Sequence, residues 1–222
     1  MKYLIHASPQ RLWYVREFLL PSLLAQGAKP GEVEIWNDAE RSGNLMACVA
    51  SFAAREGDGG TWHIQDDALL CRDFVARCRA LDGEGVVYGF AHEQFEDDLQ
   101  QTGRVHLPDA WHSFQCVRIP DPWAREFADW FYTEARIDPA LRWMAATGRM
   151  DDAFFTVFLQ RRHPTITVFN AKPCLCEHVD MLLGGSLCNE WRGYWARAAW
   201  FDDQDLVEDL RERLTERKEK RR

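Results

Sequence analysis

The fold is decided by "GGTWHIQDDALLCRDFVARCRALDG", residues 59–83. Its first part predicts a buried strand that ends at two adjacent acids, Asp66 and Asp67, and its second part predicts a helix that ends at Gly83. Acids at the carboxyl end of a strand lie where open α/β sheets form their ligand crevice, and a partly desolvated charge there is costly unless it is paired. The pair therefore requires a cation, unless, as the alternative, it caps the following helix or simply lies in solvent.

The same alternation of strand and helix extends along most of the chain. Strands are predicted at "KYLIHAS" and "EVEIWND", with helices at "PQRLWYVREFLLPSLLAQG" and "SGNLMACVASFAARE". Further strands at "GVVYGFA", "WHSFQCVRI" and "TITVFN" accompany helices at "DPWAREFADWFYTEA" and "MDDAFFTVFLQRR". This pattern predicts a single α/β domain with a Rossmann-type, mostly parallel central sheet flanked by helices. We place the domain at residues 1–200 and a charged C-terminal helix at residues 201–222.

Composition limits the classes of function. Hydrophobic residues make up 46% of the 222 residues, which is enough for a sizeable core. The net charge is −8 and the Lys and Arg residues are scattered before the C-terminal segment, so we expect no non-specific binding of nucleic acid. The seven cysteines are an odd number in a long chain, which fits a reducing cytoplasm. No run approaches the roughly 18 apolar residues of a membrane span.

The acidic pair after the third predicted strand is the first candidate site. Alternation along the strand places Gln65 and Asp67 on one face and Asp66 on the other. Asp67 is therefore the expected ligand of a hard cation, Mg²⁺ or Mn²⁺, that bridges to a phosphate. Gln65, on the same face, is expected to bind a ligand hydroxyl.

A second acidic pair, Asp151 and Asp152, begins the helix "MDDAFFTVFLQRR". Carboxylates at a helix start are ordinarily stabilised by the free backbone N–H groups, which makes capping one interpretation. The other interpretation is that one of the two acts as a general base on an acceptor hydroxyl.

The third candidate site is "CLCEHVDMLLGGS", residues 174–186. His178 is its candidate metal ligand, and Gly184 and Gly185 allow close backbone approach to an anion. Zinc is an alternative, because Cys174 and Cys176 alternate with His178, but such a site would need a fourth ligand such as Cys188.

In this order, the motifs resemble the glycosyltransferases of the GT-A fold. The resemblance covers roughly residues 1–188 and is carried by "SPQR", "WND", "QDD", the late "DD" helix and "PCLCEHVDMLLGGS". In that family an acidic motif binds the divalent cation and the nucleotide-sugar, and a C-terminal His completes the metal site. The resemblance implies that Asp67 and His178 bind Mn²⁺ or Mg²⁺. The chain departs from the family at Gln65, where an acid is usual, which predicts weaker metal binding.

The resemblance also implies the remaining site residues and the activity. The residues expected to bind the donor are Ser8, Arg11, Asp38, Gln65, Asp66, Gly185 and Ser186. Asp151 or Asp152 would take the proton of the acceptor if the reaction inverts configuration. The chain is thus expected to transfer a sugar from a nucleotide-sugar to a hydroxyl of a glycan, a protein or a modified base. Residues 92–110, a polar stretch expected to form a loop, would select the acceptor.

Two other functions are compatible with the sequence. A nucleotidyltransferase would use the same acids, but it should carry a glycine-rich phosphate loop after the first strand, and "HASPQR" contains no glycine. A non-catalytic protein would use some of its ten Trp residues to stack on a carbohydrate or a partner, although most Trp residues are expected in the core.

Overall fold

The computed structural model describes residues 1–91, 103–106, 113–142, 151–185, 187, 198 and 200–220, with residues 103–106 described by their backbone alone. Within these residues, a seven-stranded sheet has the order β2-β1-β3-β7-β5-β8-β6. The strands are β1 Lys2–Ala7, β2 Val33–Asn37, β3 Gly60–Gln65, β5 Val87–Tyr88, β6 Gly103–His106, β7 Cys116–Pro120 and β8 Thr167–Asn170. A second sheet pairs two short strands, β4 Ala68–Leu70 and β9 Cys176–His178.

Most strands of the large sheet point the same way. β1 pairs in parallel with both β2 and β3, and β5 pairs in parallel with β8. β7 runs antiparallel between β3 and β5, and β6 runs antiparallel at the edge beside β8. Among the described strands of the large sheet, only β6 and β7 thus run opposite to the others. The prediction of a mostly parallel central sheet is confirmed.

Helices cover both faces of the large sheet. The first, α1, is continuous through Leu12–Tyr14, a π-helical turn at Val15–Leu19 and Leu20–Ala25. The others are α2 Asn44–Ala53, α3 Phe74–Ala80, α4 Asp121–Trp130 with a π-helical turn at Phe131–Ala135, α5 Asp151–Arg162 and α6 Gln204–Lys220, and a 3-10 turn occupies Pro30–Glu32. Apolar residues of α1, α3 and α6 fill one core, and those of α2, α4 and α5 fill the other. This is the layered α/β architecture that the alternation predicts.

Alternation along the strands supplies both cores. On β1, Tyr3 and Ile5 face the core that contains α1, whereas Ile119 on β7 and Phe52 on α2 belong to the opposite core. Residues two apart on a strand share a face, so a strand buried on both sides must be apolar throughout, as "YLI" is.

The structure differs from the prediction at the end of β3. The strand ends at Gln65, a turn follows at Asp66 and Asp67, and the chain then enters β4 in the second sheet. The partner of β4 is β9, in a segment predicted to be a loop, with Ala68 opposite His178. Three-residue strands are too short to show a period of two, so this pairing leaves no local signal.

Two further differences concern the edges of the fold. Residues 103–106 form β6 and pair with β8, although they belong to the polar stretch predicted as a loop; the rest of that stretch lies outside the described residues. The C-terminal helix α6 buries Val207, Leu210 and Leu214 in the core beside α1. Its predicted boundary at residue 200 remains a prediction. Among the described residues, no helix has the length and apolar character needed to cross a membrane.

Candidate functional site

Arg11 is the cation that the first acidic pair requires. It immediately precedes α1, and its Nη1 atom lies 3.3 Å from Asp66 Oδ1 and also donates to Asp67 Oδ2. The three side chains are buried, with Arg11 only 4% exposed and each aspartate 7% exposed. Its Nη2 atom donates to the carbonyl of Gly185 at 2.9 Å. Arg11 therefore joins three segments that lie up to 174 residues apart in sequence.

The expected alternation of Asp66 and Asp67 is wrong. Both carboxylates contact the same guanidinium because the strand ends at Gln65 and the two acids lie in a turn, where side chains no longer alternate. Asp66 also accepts two hydrogen bonds at Oδ2, from the backbone N–H and the hydroxyl of Ser8, each at 2.6 Å. Ser8 and Arg11, both expected to bind the donor, thus contact the carboxylates of the acidic pair directly.

His178, the last residue of β9, contacts Asp67 in the turn before β4. The pairing of β4 with β9 places its Nε2 atom 3.2 Å from Asp67 Oδ2, and Val179 N–H donates to the Asp67 carbonyl at 2.8 Å. Its other ring nitrogen, Nδ1, lies 3.8 Å from Asp180 Oδ1, on a side chain only 2% exposed. The two residues predicted as metal ligands are therefore neighbours. Asp180 was not predicted, although its spacing of two from His178 in an extended segment is a signal.

Burial and charge pull the pKa values of this cluster in different directions. Burial raises the pKa of Asp67, but contacts with His178 and Arg11 outweigh it and hold that pKa well below its usual value. Burial and the neighbouring charge of Asp67 raise the pKa of Asp66. Burial lowers the pKa of His178, but the contact with Asp67 raises it by more, so the pKa lies above its usual value. Burial raises the pKa of Asp180. Asp67 is thus the carboxylate that carries the negative charge most strongly.

The fit of a divalent cation can be tested on the donor atoms. A carboxylate and an imidazole are suitable ligand types, and Asp67 Oδ1 is buried without a hydrogen-bond partner among the described residues. However, Asp67 Oδ2 is shared by Arg11 and His178, and both oxygens of Asp66 are occupied by Arg11 and Ser8. In this arrangement a guanidinium fills the position that a divalent cation needs, and the two do not fit together.

The second acidic pair lies at the start of α5 and is linked to the first through Gln65. Gln65 Nε2 donates to Asp151 Oδ2 at 3.5 Å, and Asp152 Oδ1 accepts from the N–H of Ala153 at 2.7 Å. Burial raises the pKa of Asp151 to about 6 and the pKa of Asp152 to about 7. Gln65 was expected to bind a ligand hydroxyl, and in the structure its amide contacts an acid of the chain itself.

The other predicted donor-binding residues are distributed as follows. Asp38 closes the loop before α2, where its Oδ1 accepts from the N–H and hydroxyl of Ser42, both at 2.8 Å, and its Oδ2 accepts from Gly43 N–H at 3.1 Å. Gly185 has φ +94°, and its N–H donates to the Asp180 carbonyl at 2.9 Å, so it is not offered to an anion. Ser186 lies outside the described residues.

The cysteines do not assemble a zinc site with His178 in the part of the chain that the structure describes. Cys174 and Cys176 are buried as free thiols, and Cys176 contacts the thiol of Cys116. No group of three or more His, Cys, Asp or Glu side chains with metal-binding geometry is found there. Cys188, the fourth ligand that this alternative needs, lies outside that part.

A pair of histidines was not predicted. His6 on β1 and His63 on β3 lie side by side, with His6 Nε2 3.1 Å from His63 Nδ1. Burial lowers the pKa of His6 to about 4 and the pKa of His63 well below its usual value, so both imidazoles are neutral near pH 7. The signal available in the sequence is that each lies within a predicted strand, His6 in "KYLIHAS" and His63 in "GGTWHIQDD".

Comparisons with known proteins give weak likenesses. No family model matches the chain, and no curated protein matches its sequence. The structure of the galactosyltransferase LgtC in complex with donor and acceptor sugar analogs has a TM-score of 0.40 at 10% identity, covering 97% of this chain and 96% of that chain. A provisionally named glucose-1-phosphate thymidylyltransferase from Bacillus anthracis has a TM-score of 0.39 at 9% identity, covering 77% and 86%.

A third solved structure, A197 from STIV, has a TM-score of 0.39 at 13% identity and covers 80% of this chain and 84% of that chain. The set thus includes a glycosyltransferase and a nucleotidyltransferase. At TM-scores of 0.40 and below, these likenesses establish neither a family nor an activity for the chain.

Proposed function

We propose that the chain is a glycosyltransferase that transfers a sugar from a nucleotide-sugar donor to a hydroxyl acceptor. The observation that carries the proposal is the convergence of two acidic pairs, Asp66–Asp67 and Asp151–Asp152, at one edge of the sheet, joined by Gln65. That edge is formed by the carboxyl ends of the parallel strands, where α/β folds bind ligands.

The first pair and its partners suit the donor. Arg11 brings positive charge to this edge, where a diphosphate leaving group would develop negative charge, and His178 contacts the same carboxylate beside it. Asp67 Oδ1 is an acceptor with no partner among the described residues, and it is suited to a hydroxyl of the ribose or the sugar. Arg11 would stabilise the leaving group, and the Asp67 carboxylate would orient the donor.

The second pair suits the acceptor. A general base works best when its pKa lies near the working pH, and burial brings the pKa values of Asp151 and Asp152 to about 6 and about 7. Either carboxylate would take the proton of the acceptor hydroxyl as the oxygen attacks the sugar carbon and the bond to the diphosphate breaks. This role applies to inversion of configuration, and a retaining reaction would not need it.

The divalent cation remains an untested prediction. Asp67 and His178 would hold such a cation only if Arg11 left the carboxylates, and the cation would then supply Lewis-acid stabilisation of the leaving diphosphate. The proposed reaction does not depend on this cation, because Arg11 already forms ion pairs with both acids.

Calorimetry with a panel of nucleotide-sugars, each measured in Mn²⁺ and in a chelator, tests the proposal. We expect one donor to bind, and we expect its nucleoside diphosphate to be released when a hydroxyl acceptor is added. A panel in which no nucleotide-sugar and no nucleoside diphosphate binds would contradict the proposal. Binding of a nucleoside triphosphate with release of pyrophosphate would show a nucleotidyltransferase instead.

A further inference from the structure

We propose that Arg11 takes the place of a divalent cation in the donor site, so that the diphosphate of the donor binds without Mn²⁺ or Mg²⁺. The inference rests on the proposed function for the identity of the ligand. Its structural basis is the contact of Arg11 with both acids of the pair, which holds whatever the donor is.

Most carboxylate oxygens of the first acidic pair already accept hydrogen bonds. Hard divalent cations take several oxygen ligands, and Mg²⁺ demands near-octahedral geometry. Of the four oxygens of Asp66 and Asp67, three already accept hydrogen bonds from Arg11, Ser8 or His178. Only Asp67 Oδ1 has no partner among the described residues. One oxygen is too few to hold a hard cation before a phosphate arrives.

The charge of Arg11 opposes binding of a metal ion at the acidic pair. A guanidinium stays protonated in proteins, so Arg11 carries its positive charge at every working pH. A divalent cation on Asp67 would lie beside that charge in a buried site, where screening by water is weak. Arg11 and a metal ion therefore compete for the same carboxylates.

Arg11 is fixed both at its backbone and at its guanidinium. Its backbone N–H donates to the Ser8 carbonyl at 3.1 Å, and its own carbonyl accepts from Tyr14 at 2.8 Å, which fixes its backbone at the start of α1. At the far end, Nη2 is anchored on the Gly185 carbonyl. An arginine that is fixed at its backbone and at its guanidinium keeps its planar N–H groups oriented. These groups match the geometry of phosphate oxygens.

The experiment measures two bindings on the full chain. Mn²⁺ alone is titrated and followed by electron paramagnetic resonance, and nucleoside diphosphates are titrated by calorimetry in a chelator and in Mn²⁺. For the unmodified chain we expect no stoichiometric Mn²⁺ and a diphosphate Kd that agrees within about twofold in the two buffers. One tightly bound Mn²⁺, or diphosphate binding seen only with Mn²⁺, would overturn the inference and leave the proposed function standing. Absence of diphosphate binding in both buffers would refute the proposed function.

Arg11→Met gives the converse test. It removes the cation and leaves both carboxylates, so we expect it to gain an Mn²⁺ site and to lose about 10- to 100-fold in metal-free diphosphate affinity, as the loss of a charge-assisted hydrogen bond implies. Arg11→Lys, which keeps the charge, should continue to exclude Mn²⁺ and serves if Arg11→Met fails to fold. The matched control is Arg55→Met, which removes another buried guanidinium, one whose partner is the exposed Glu34 at 3.0 Å. An Arg11→Met chain that folds and behaves as the control does in both titrations would overturn the inference.

Discussion

Gln65 donates a hydrogen bond to Asp151 across 86 residues of sequence, with its Nε2 atom 3.5 Å from Asp151 Oδ2. Gln65 directly precedes the pair Asp66–Asp67, and Asp151 directly precedes Asp152, so this contact joins the two acidic pairs. The donor and acceptor halves of the proposed site are therefore adjacent, and changes in one pair can be compared with changes in the other.

The second acidic pair should be needed for turnover and not for donor binding. Loss of a general base reduces turnover by about 10²- to 10⁴-fold. We expect that reduction for Asp151→Asn or Asp152→Asn, with the donor Kd from calorimetry unchanged. The variant that keeps full turnover identifies the acid that is not the base. Full turnover in both would show that the pair is structural, or that the reaction retains configuration.

The same pair should lower the stability of the folded chain at neutral pH. Burial raises the pKa of Asp151 to about 6 and that of Asp152 to about 7, so the folded state binds more protons than the unfolded state between the ordinary carboxyl pKa and these values. The free energy of unfolding contributed by the pair therefore falls as pH rises through that window. Asp152→Asn should gain up to about 4 kcal/mol over the unmodified chain at pH 8 and little at pH 4. Urea unfolding at the two pH values measures the difference.

This outcome also separates burial from capping. If the acids acted only as helix caps, the Asn variants, which cap about equally well, would change the unfolding free energy little at any pH, whereas Ala variants would lose about 0.5–2 kcal/mol. A loss at pH 8 would contradict the buried-carboxyl explanation.

Asp66→Asn should be as damaging as Asp67→Asn. The alternation along the strand predicts a milder effect for Asp66, but both carboxylates contact Arg11, and Asp66 also accepts from Ser8. We expect each variant to lose roughly 1.5–3 kcal/mol of unfolding free energy, the range for hydrogen bonds to charged groups. Thermal and urea unfolding measure the loss. The control is Asp58→Asn, since Asp58 is almost fully exposed and should change little. An Asp66 variant as stable as this control would show that the Asp66–Arg11 contact contributes nothing.

The histidine pair should make the chain sensitive to mild acid. Burial holds His6 at a pKa of about 4 and His63 lower still, so the unfolded state binds more protons than the folded state between their ordinary pKa and about pH 4. Their stabilising contribution is present above the ordinary pKa of histidine and is lost as pH falls through this window. His6→Gln removes one titrating group. It should reduce the acid-induced loss of unfolding free energy by up to about 3 kcal/mol. Urea unfolding of both chains between pH 7 and pH 4.5 measures the difference. If the unfolding free energy falls equally in the two chains, the histidine pair is not the cause of the acid sensitivity.

The local sequence determines the fold class and the position of both acidic pairs. Apolar residues recur at strand and helix spacing within short windows, and this period reports directly on which side of an element is buried. The strands that carry Tyr3, Ile5 and Trp62 could therefore be identified, and the acids that follow could be placed at the edge of the sheet. The resemblance to GT-A glycosyltransferases predicted that His178 and Asp67 lie together, and their side chains are in contact.

What only the tertiary structure decides is the partner of each charge. Arg11 lies 55 residues from Asp66 and 174 residues from Gly185, and no local pattern reports such a contact. The pairing of β4 with β9, which positions His178, joins strands of three residues that are too short to show a period. A buried charge must find a partner somewhere in the fold, and the sequence states that need, but the folded chain alone determines which cation meets it.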